Sequence, residues 1–64
     1  MKKHANIYDL KGNLIGRIIY YSYSYDNTLI RFFGKDNKII AQFFRGLVII
    51  ELLEDKEELN YVNE

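Results

Sequence analysis

Side chains that could act as nucleophiles are few in this chain, and none has a general base beside it. The hydroxyl groups of Ser22, Ser24 and Thr28 lie within one short stretch. A serine or threonine nucleophile needs an adjacent base to remove its proton. The only histidine, His4, falls in residues 1–4, which we predict to be a flexible amino terminus. The sequence therefore predicts a protein that is not an enzyme.

The chain also has few residues that could bind a metal ion or a cofactor. The chain has no cysteine and one histidine, which excludes thiolate metal sites and a histidine-based zinc site within one chain. The aspartates up to residue 46 all occur at turns, where aspartate has a conformational role. No glycine-rich loop of the phosphate-binding type is present. We therefore predict no cofactor.

The most distinctive local feature is a tyrosine-rich run over residues 20–25, in which tyrosine and serine alternate after Tyr20. On a strand, Tyr21, Tyr23 and Tyr25 would project to one side. Such a row can complete a core or form a protein interface, because each ring is large and stiff. It can also stack on nucleobases. The run leaves these three uses open.

Charge is distributed unevenly along the chain although the net charge is zero. Residues 1–46 carry eight lysines and arginines against three aspartates, a net charge of +5. Residues 47–64 carry one lysine against six acids, a net charge of −5. A basic body with an acidic tail is typical of some nucleic-acid-binding proteins. The simpler interpretation is that the tail keeps an apolar chain soluble.

Short turns separate the apolar runs that would carry these residues. Gly, Asn and Asp cluster near residues 11–13, 26–27, 34–37 and 45–46, and tight hairpin turns favour these residue types. The runs between them are rich in Ile, Phe, Tyr, Leu and Val, which suit strands. We predict an all-β fold, a five-stranded antiparallel meander that forms a small SH3/Sm-like barrel or a curled sheet. The predicted strands are residues 5–10, 14–25, 28–33, 38–44 and 47–53.

The whole chain, residues 1–64, is predicted to form a single domain. Residues 54–64 are an acidic tail or a short carboxyl-terminal helix, since Leu59 and Val62 are spaced for one helical stripe. Residues 1–10 lack the apolar run of a signal peptide. No stretch approaches the ~20 apolar residues that a membrane span needs. We therefore expect a cytoplasmic protein with no membrane contact.

The turn lengths predict a register for three hairpins. They place Tyr23 opposite Ile30, Ile30 opposite Ala41, and Ala41 opposite Ile50 in the last hairpin. The second face is polar only in part, which would leave several large apolar side chains in water. Either the first strand meets the last and closes a barrel, or a face or edge pairs with another copy. The predicted core face comprises Ile19, Tyr21, Tyr23, Ile30, Phe32, Ile39, Ala41, Phe43, Val48, Ile50 and Leu52.

A five-strand meander with a long second strand resembles the Sm-like RNA-binding barrels. Residues 16–21 and 27–30 resemble the first motif of that family, and residues 44–46 and 48–50 resemble the second. The resemblance implies that Asn27 and Arg45 lie in RNA-binding loops and that the chain forms a ring. Ser22 stands where the family has an aspartate, and the spacing between the motifs is short. On these departures we do not assign the chain to the family.

Two functions follow as hypotheses. The first is a non-enzymatic binding or assembly module that self-associates, or binds a protein partner, through a sheet face or edge. The alternative is a small RNA- or single-stranded-DNA-binding β-barrel that uses its basic surface and tyrosines. The candidate contact residues are Tyr20, Tyr25, Arg31, Phe33, Lys38, Phe44 and Arg45.

Overall fold

A computed structural model of the protein describes residues 2–53. These residues form six β-strands in two three-stranded antiparallel sheets, with no helix in this range. No element of residues 2–53 is a helix long and apolar enough to cross a membrane. The predicted tail or helix over residues 54–64 lies outside the described residues. The strands are β1 (Lys3–Tyr8), β2 (Leu14–Tyr20), β3 (Ser22–Tyr25), β4 (Leu29–Phe33), β5 (Ile39–Phe44) and β6 (Ile49–Leu53).

The first sheet, called sheet A, has the order β2-β1-β6. Its central strand β1 begins at Lys3, two residues earlier than predicted, and carries the two buried side chains Ala5 and Ile7. Ala5 faces Ile18 of β2 on one side and Leu52 of β6 on the other. This row of apolar residues forms the inner face of sheet A. The first strand therefore meets the last, which is one of the two arrangements that the sequence left open.

The second sheet, called sheet B, has the order β3-β4-β5. Its central strand β4 buries Ile30 and Phe32, which alternate with the outward-facing Arg31. Phe32 faces Tyr23 of β3 and Ala41 of β5. Sheet B therefore repeats the plan of sheet A, with a buried central strand and two more exposed edges.

The strands β2 and β3 are the two halves of the single strand predicted over residues 14–25. The pairing partner changes at Tyr21, whose amide donates to the Phe33 carbonyl at 2.9 Å. Residues before this point pair with β1, and residues after it pair with β4. The chain thus leaves sheet A and enters sheet B at this corner, which places the inner faces of the two sheets against each other.

The core lies between the sheets and draws residues from both. Ala5 and Tyr20 come from sheet A, and Ile30 and Phe32 come from sheet B. The rings of Tyr20 and Phe32 meet edge to face, with centroids 4.9 Å apart, a favoured arrangement of aromatic pairs. Partly buried side chains surround this cluster, namely Ile18, Ala41, Phe43, Ile50 and Leu52.

The predicted barrel is not closed. β6 does not pair with β5 as the predicted turn at residues 45–46 requires, and its only partner among the described strands is β1. Ile50, predicted to face Ala41, instead faces Ile7 of β1. The physical reason is that residues 45–48 connect the two sheets, so that β5 and β6 belong to different layers. The result is two packed sheets, with edge strands β2 and β6 in sheet A and β3 and β5 in sheet B.

Two further expectations need correction. The β3–β4 and β4–β5 registers are shifted by two residues, so that Tyr23 faces Phe32 and Ile30 faces Phe43. Tyr20, predicted as a contact residue and not as part of the core face, is only 1% exposed and belongs to the core. The corner at Tyr21 interrupts the alternation of β2 and β3, which turns Tyr20 inward. For the same reason Ile19, expected in the core, is exposed.

Candidate functional site

The loop between β3 and β4 is ordered by one carboxylate. Asp26 Oδ1 accepts hydrogen bonds from the amides of Thr28 at 2.7 Å and Leu29 at 2.8 Å. These two bonds, with a smaller contribution from the positive charges of Arg31 and Arg45, hold the pKa of Asp26 below its ordinary value of 3.8. The carboxylate therefore fixes the loop that follows Tyr25.

This loop brings Arg45 to Tyr25 from a position 20 residues further along the chain. The Arg45 amide donates to the Thr28 carbonyl at 2.8 Å, and its Nη1 donates to the Asp26 carbonyl at 2.7 Å. The guanidinium carbon then lies 5.1 Å from the centre of the Tyr25 ring, within the range of a cation–π contact. Two hydrogen bonds and a ring contact thus orient this arginine.

Tyr25 and Tyr23 form a stacked pair on the same side of β3. Their ring centroids are 6.3 Å apart and the ring planes differ by 18°. Tyr23 also contacts the core rings of Tyr20 and Phe32, whereas Tyr25 is 63% exposed. The tyrosine row therefore runs from the core to the surface and ends in the Tyr25–Arg45 pair.

A cleft opens beside this pair, between the two sheets. It has a volume of about 210 Å³ and is lined by Ile30, Arg45, Val48, Ile50 and Leu52. Ile30 belongs to β4, while Ile50 and Leu52 belong to β6, so each sheet supplies one wall. The connection at residues 45–48 supplies the rest. We call this arrangement of Tyr25, Arg45 and the cleft the seam site.

No family model, curated protein or solved structure matches this chain. The seam site is therefore interpreted from its own geometry.

A second group of predicted contact residues lies on the outer face of sheet B. Arg31, Phe33 and Phe44 share this face, where Phe44 pairs with Leu29 across β4 and β5. Arg31 Nε donates to Gln42 Oε1 at 3.2 Å. The outer face of sheet B thus combines one cation with exposed apolar side chains.

The structure brings the predicted contact residues together in two groups, Tyr25 with Arg45 at the seam site and three others on the outer face of sheet B. Lys38 lies just before β5, where its amide and carbonyl bond within the turn of residues 34–38. Tyr20 is in the core and presents no surface to a partner. The cleft residues Val48, Ile50 and Leu52 were predicted as core, so their role as walls of an opening did not follow from the sequence.

The outer face of sheet A carries a polar cluster that the sequence did not indicate. Glu51 Oε1 accepts from Asn6 Nδ2 at 3.0 Å and from the Tyr8 hydroxyl at 2.7 Å. The hydrogen bond to Glu51 raises the pKa of Tyr8 above its ordinary value of 10.0. Asn6 and Glu51 face each other across β1 and β6, a pairing that depends on the contact of the first and last strands.

The residues considered for catalysis and metal binding are dispersed. His4 lies in β1 of sheet A, and Ser22 and Ser24 lie in β3 of sheet B. Within residues 2–53 no three acidic or histidine side chains are grouped so that they could hold a metal ion.

Proposed function

We propose that this chain is a non-enzymatic binding and assembly module, which self-associates through the free edge of β5. β5 is the outer strand of sheet B, so one side of its backbone has no neighbouring strand in the sheet. It contains neither a charge nor a proline, the usual devices that protect an edge from pairing. A bulge interrupts its β4 pairing near Ile39, whereas residues 41–44 are regular. Ile39, Ile40 and Phe44 are exposed.

Charge favours a second copy of β5 as the occupant of this edge. If two β5 strands pair antiparallel in full overlap, no charged residues face each other within Ile39–Phe44, and Lys38 faces Arg45 only beyond the two ends of the paired strands. The same pairing of β2 would place Arg17 opposite Arg17 of the second copy, and that of β6 would place Glu51 opposite Glu51. Like charges directly opposite each other are destabilising. β3 is also uncharged but offers only four residues.

A twofold pair of β5 strands gives a closed dimer, because each copy presents the same surface to the other. Sedimentation equilibrium of the full chain is expected to show a concentration-dependent monomer–dimer equilibrium. Phe44→Lys should weaken association at least tenfold, since an uncompensated charge beside Ile39 of the second copy costs more than the ~1.4 kcal/mol of a tenfold change.

The control for this experiment is Ile15→Lys. Ile15 and Phe44 are both 58% exposed and both lie on edge strands, but Ile15 belongs to β2. Ile15→Lys should leave the dimer unchanged. A stable monomer at high micromolar concentration would exclude self-association and leave β5 as an edge for a different protein partner. Equal weakening by both variants would show that the association is not specific to β5.

The second candidate function is binding of single-stranded nucleic acid at the seam site. The observation that favours it is the stacked Tyr23–Tyr25 pair with Arg45 beside the exposed ring. Exposed aromatic rings stack on bases, and arginine contacts phosphates. Residues 2–53 carry eight lysines and arginines against four acids, a net charge of +4. The positive charge of this part of the chain would attract a polyanion, although the whole chain has a net charge of zero.

Fluorescence anisotropy of a labelled single-stranded RNA tests this candidate at low and moderate salt. Binding should fall with salt, by a log–log slope of about −0.7 for each phosphate contacted. Tyr25→Ala should cost about 1–3 kcal/mol if the ring stacks on a base, whereas Tyr25→Phe retains the stacking surface. The absence of binding at low salt, where attraction is strongest, would exclude this function.

A further inference from the structure

The seam cleft has the size of a site for one side chain. Sites for small molecules have volumes of about 300–1,000 Å³, whereas the cleft measures about 210 Å³. An apolar cavity of about 150 Å³ is large enough to bind benzene. The cleft can therefore accept a single ring or branched aliphatic group that is attached to a larger molecule.

Aliphatic side chains form most of the walls of the cleft. Four of the five lining residues are aliphatic, namely Ile30, Val48, Ile50 and Leu52. A nucleobase would bring several polar edge atoms against these walls, and burying them without hydrogen bonds is costly. An aliphatic or aromatic side chain has no such atoms, so insertion gains the free energy of apolar burial.

Arg45 adds a preference for negative charge at the mouth of the cleft. A guanidinium has five N–H donors, and the one described hydrogen bond of this side chain uses Nη1. Among residues 2–53 no carboxylate lies within 4.0 Å of the Arg45 guanidinium. The remaining donors are available to a ligand, and the hydrogen bond to the Asp26 carbonyl holds the group in place.

We infer that the seam cleft binds a protein segment that inserts one large apolar side chain and places a carboxylate of an adjacent residue on Arg45. A peptide supplies both features from neighbouring residues. The cleft lies between the sheets and not along the β5 edge. The inference therefore holds whether or not the chain self-associates.

The test uses the full ¹⁵N-labelled chain and a capped peptide, Gly-Ser-Glu-Leu-Glu-Ser-Gly, followed by amide chemical shifts. Shift changes should centre on Ile30, Val48 and Ile50. Replacing the peptide glutamates by lysines, or its leucine by alanine, should each weaken binding about tenfold or more. These peptide changes test charge and fit without altering the fold of the protein.

Two matched protein variants locate the contact. Arg45→Gln should weaken binding of the glutamate peptide about tenfold, and Arg31→Gln should leave it within twofold. Both remove one positive charge, but Arg31 lies on the outer face of sheet B, bonded to Gln42. Arg45→Gln must retain the dispersed spectrum of the folded chain. If it does not, the lysine peptide alone decides the role of charge.

Four results would overturn the inference. The lysine peptide could bind as tightly as the glutamate peptide, or both arginine variants could weaken binding equally, which would indicate only nonspecific attraction. Single-stranded RNA could displace the peptide and shift the same amides more strongly, which would assign the site to nucleic acid. Shifts of the cleft amides with protein concentration alone would assign it to a second copy.

Discussion

The carboxylate of Asp26 orders a loop that positions Arg45, a residue distant from it in the sequence. It satisfies the amides of Thr28 and Leu29, and the carbonyls of the same loop then accept hydrogen bonds from Arg45. A short polar side chain thus determines where a cation lies relative to Tyr25. A turn residue therefore positions the seam site, because its carbonyl accepts a hydrogen bond from Arg45, which lines the cleft.

The acid stability of this loop should depend on Asp26. Its folded pKa lies below 3.8, because the ionised form accepts two backbone hydrogen bonds near Arg31 and Arg45. The contribution of Asp26 to stability is therefore complete above pH 3.8 and is lost as the pH falls through the lower folded pKa. Denaturant unfolding from pH 7 to pH 2 should show a smaller loss of stability for Asp26→Asn than for the unsubstituted chain.

The acid dependence should shrink and not vanish in this variant. Asp9 also has a lowered pKa, chiefly through its hydrogen bonds with the Asn13 backbone and side chain, and remains in place. An NMR titration of the side-chain carboxyl carbons gives the direct measurement. A midpoint for Asp26 at or above 3.8 would contradict the role assigned to its hydrogen bonds.

At the scale of the strands, the sequence predicted which side chains face the core better than it predicted which residues pair across neighbouring strands. Ile30, Phe32, Ala41 and Phe43 were assigned to the core face, and all four pack in or against the core. Their partners are displaced by two residues from the predicted pairing. A shift of two residues preserves the face of every side chain, because the period of a strand is two. The apolar pattern alone therefore cannot distinguish the two registers.

Local sequence patterns could not predict which strand β6 pairs with. An arginine and a glycine before an apolar run are compatible with a tight hairpin, which was predicted at residues 45–46. They are equally compatible with a connection between sheets, which the structure contains. The choice depends on whether β1 or β5 offers the better neighbour, and this is a contact between distant parts of the chain. The contact of the first and last strands, one of two arrangements left open by the sequence, is present, whereas the predicted β5–β6 hairpin that would close the barrel is not.

The seam site also depends on contacts between distant parts of the chain, which local sequence patterns do not predict. The sequence identified Tyr25 and Arg45 as candidates from their residue types, but gave no reason to place them together. Their contact requires the β3–β4 loop to meet the start of the connection between the sheets. Tyr20 was misplaced because the corner at Tyr21 breaks the alternation on which its assignment depended. Irregular backbone, and not strand pattern, creates the site.

For the molecule as a whole, the two sheets share one core. Ala5 and Tyr20 of sheet A pack with Ile30 and Phe32 of sheet B, and no apolar cluster of comparable burial belongs to either sheet alone within residues 2–53. A three-stranded sheet with one covered face needs that cover for its stability. We therefore expect the two sheets to unfold together, as small single domains usually do.

Phe32→Ala should accordingly destabilise both sheets. Phe32 is fully buried, and removal of such a ring costs about 3–5 kcal/mol, a large part of the 5–15 kcal/mol that stabilises a typical domain. Hydrogen exchange should show the amides of Ala5 and Ile7 in β1 losing protection together with those of β4, although Phe32 lies in the other sheet. Phe44→Ala, measured at low protein concentration, should change stability by only about 0.5 kcal/mol, because its ring is 58% exposed. Retained protection in β1 with loss in β4 would instead mean that sheet A is stable without sheet B.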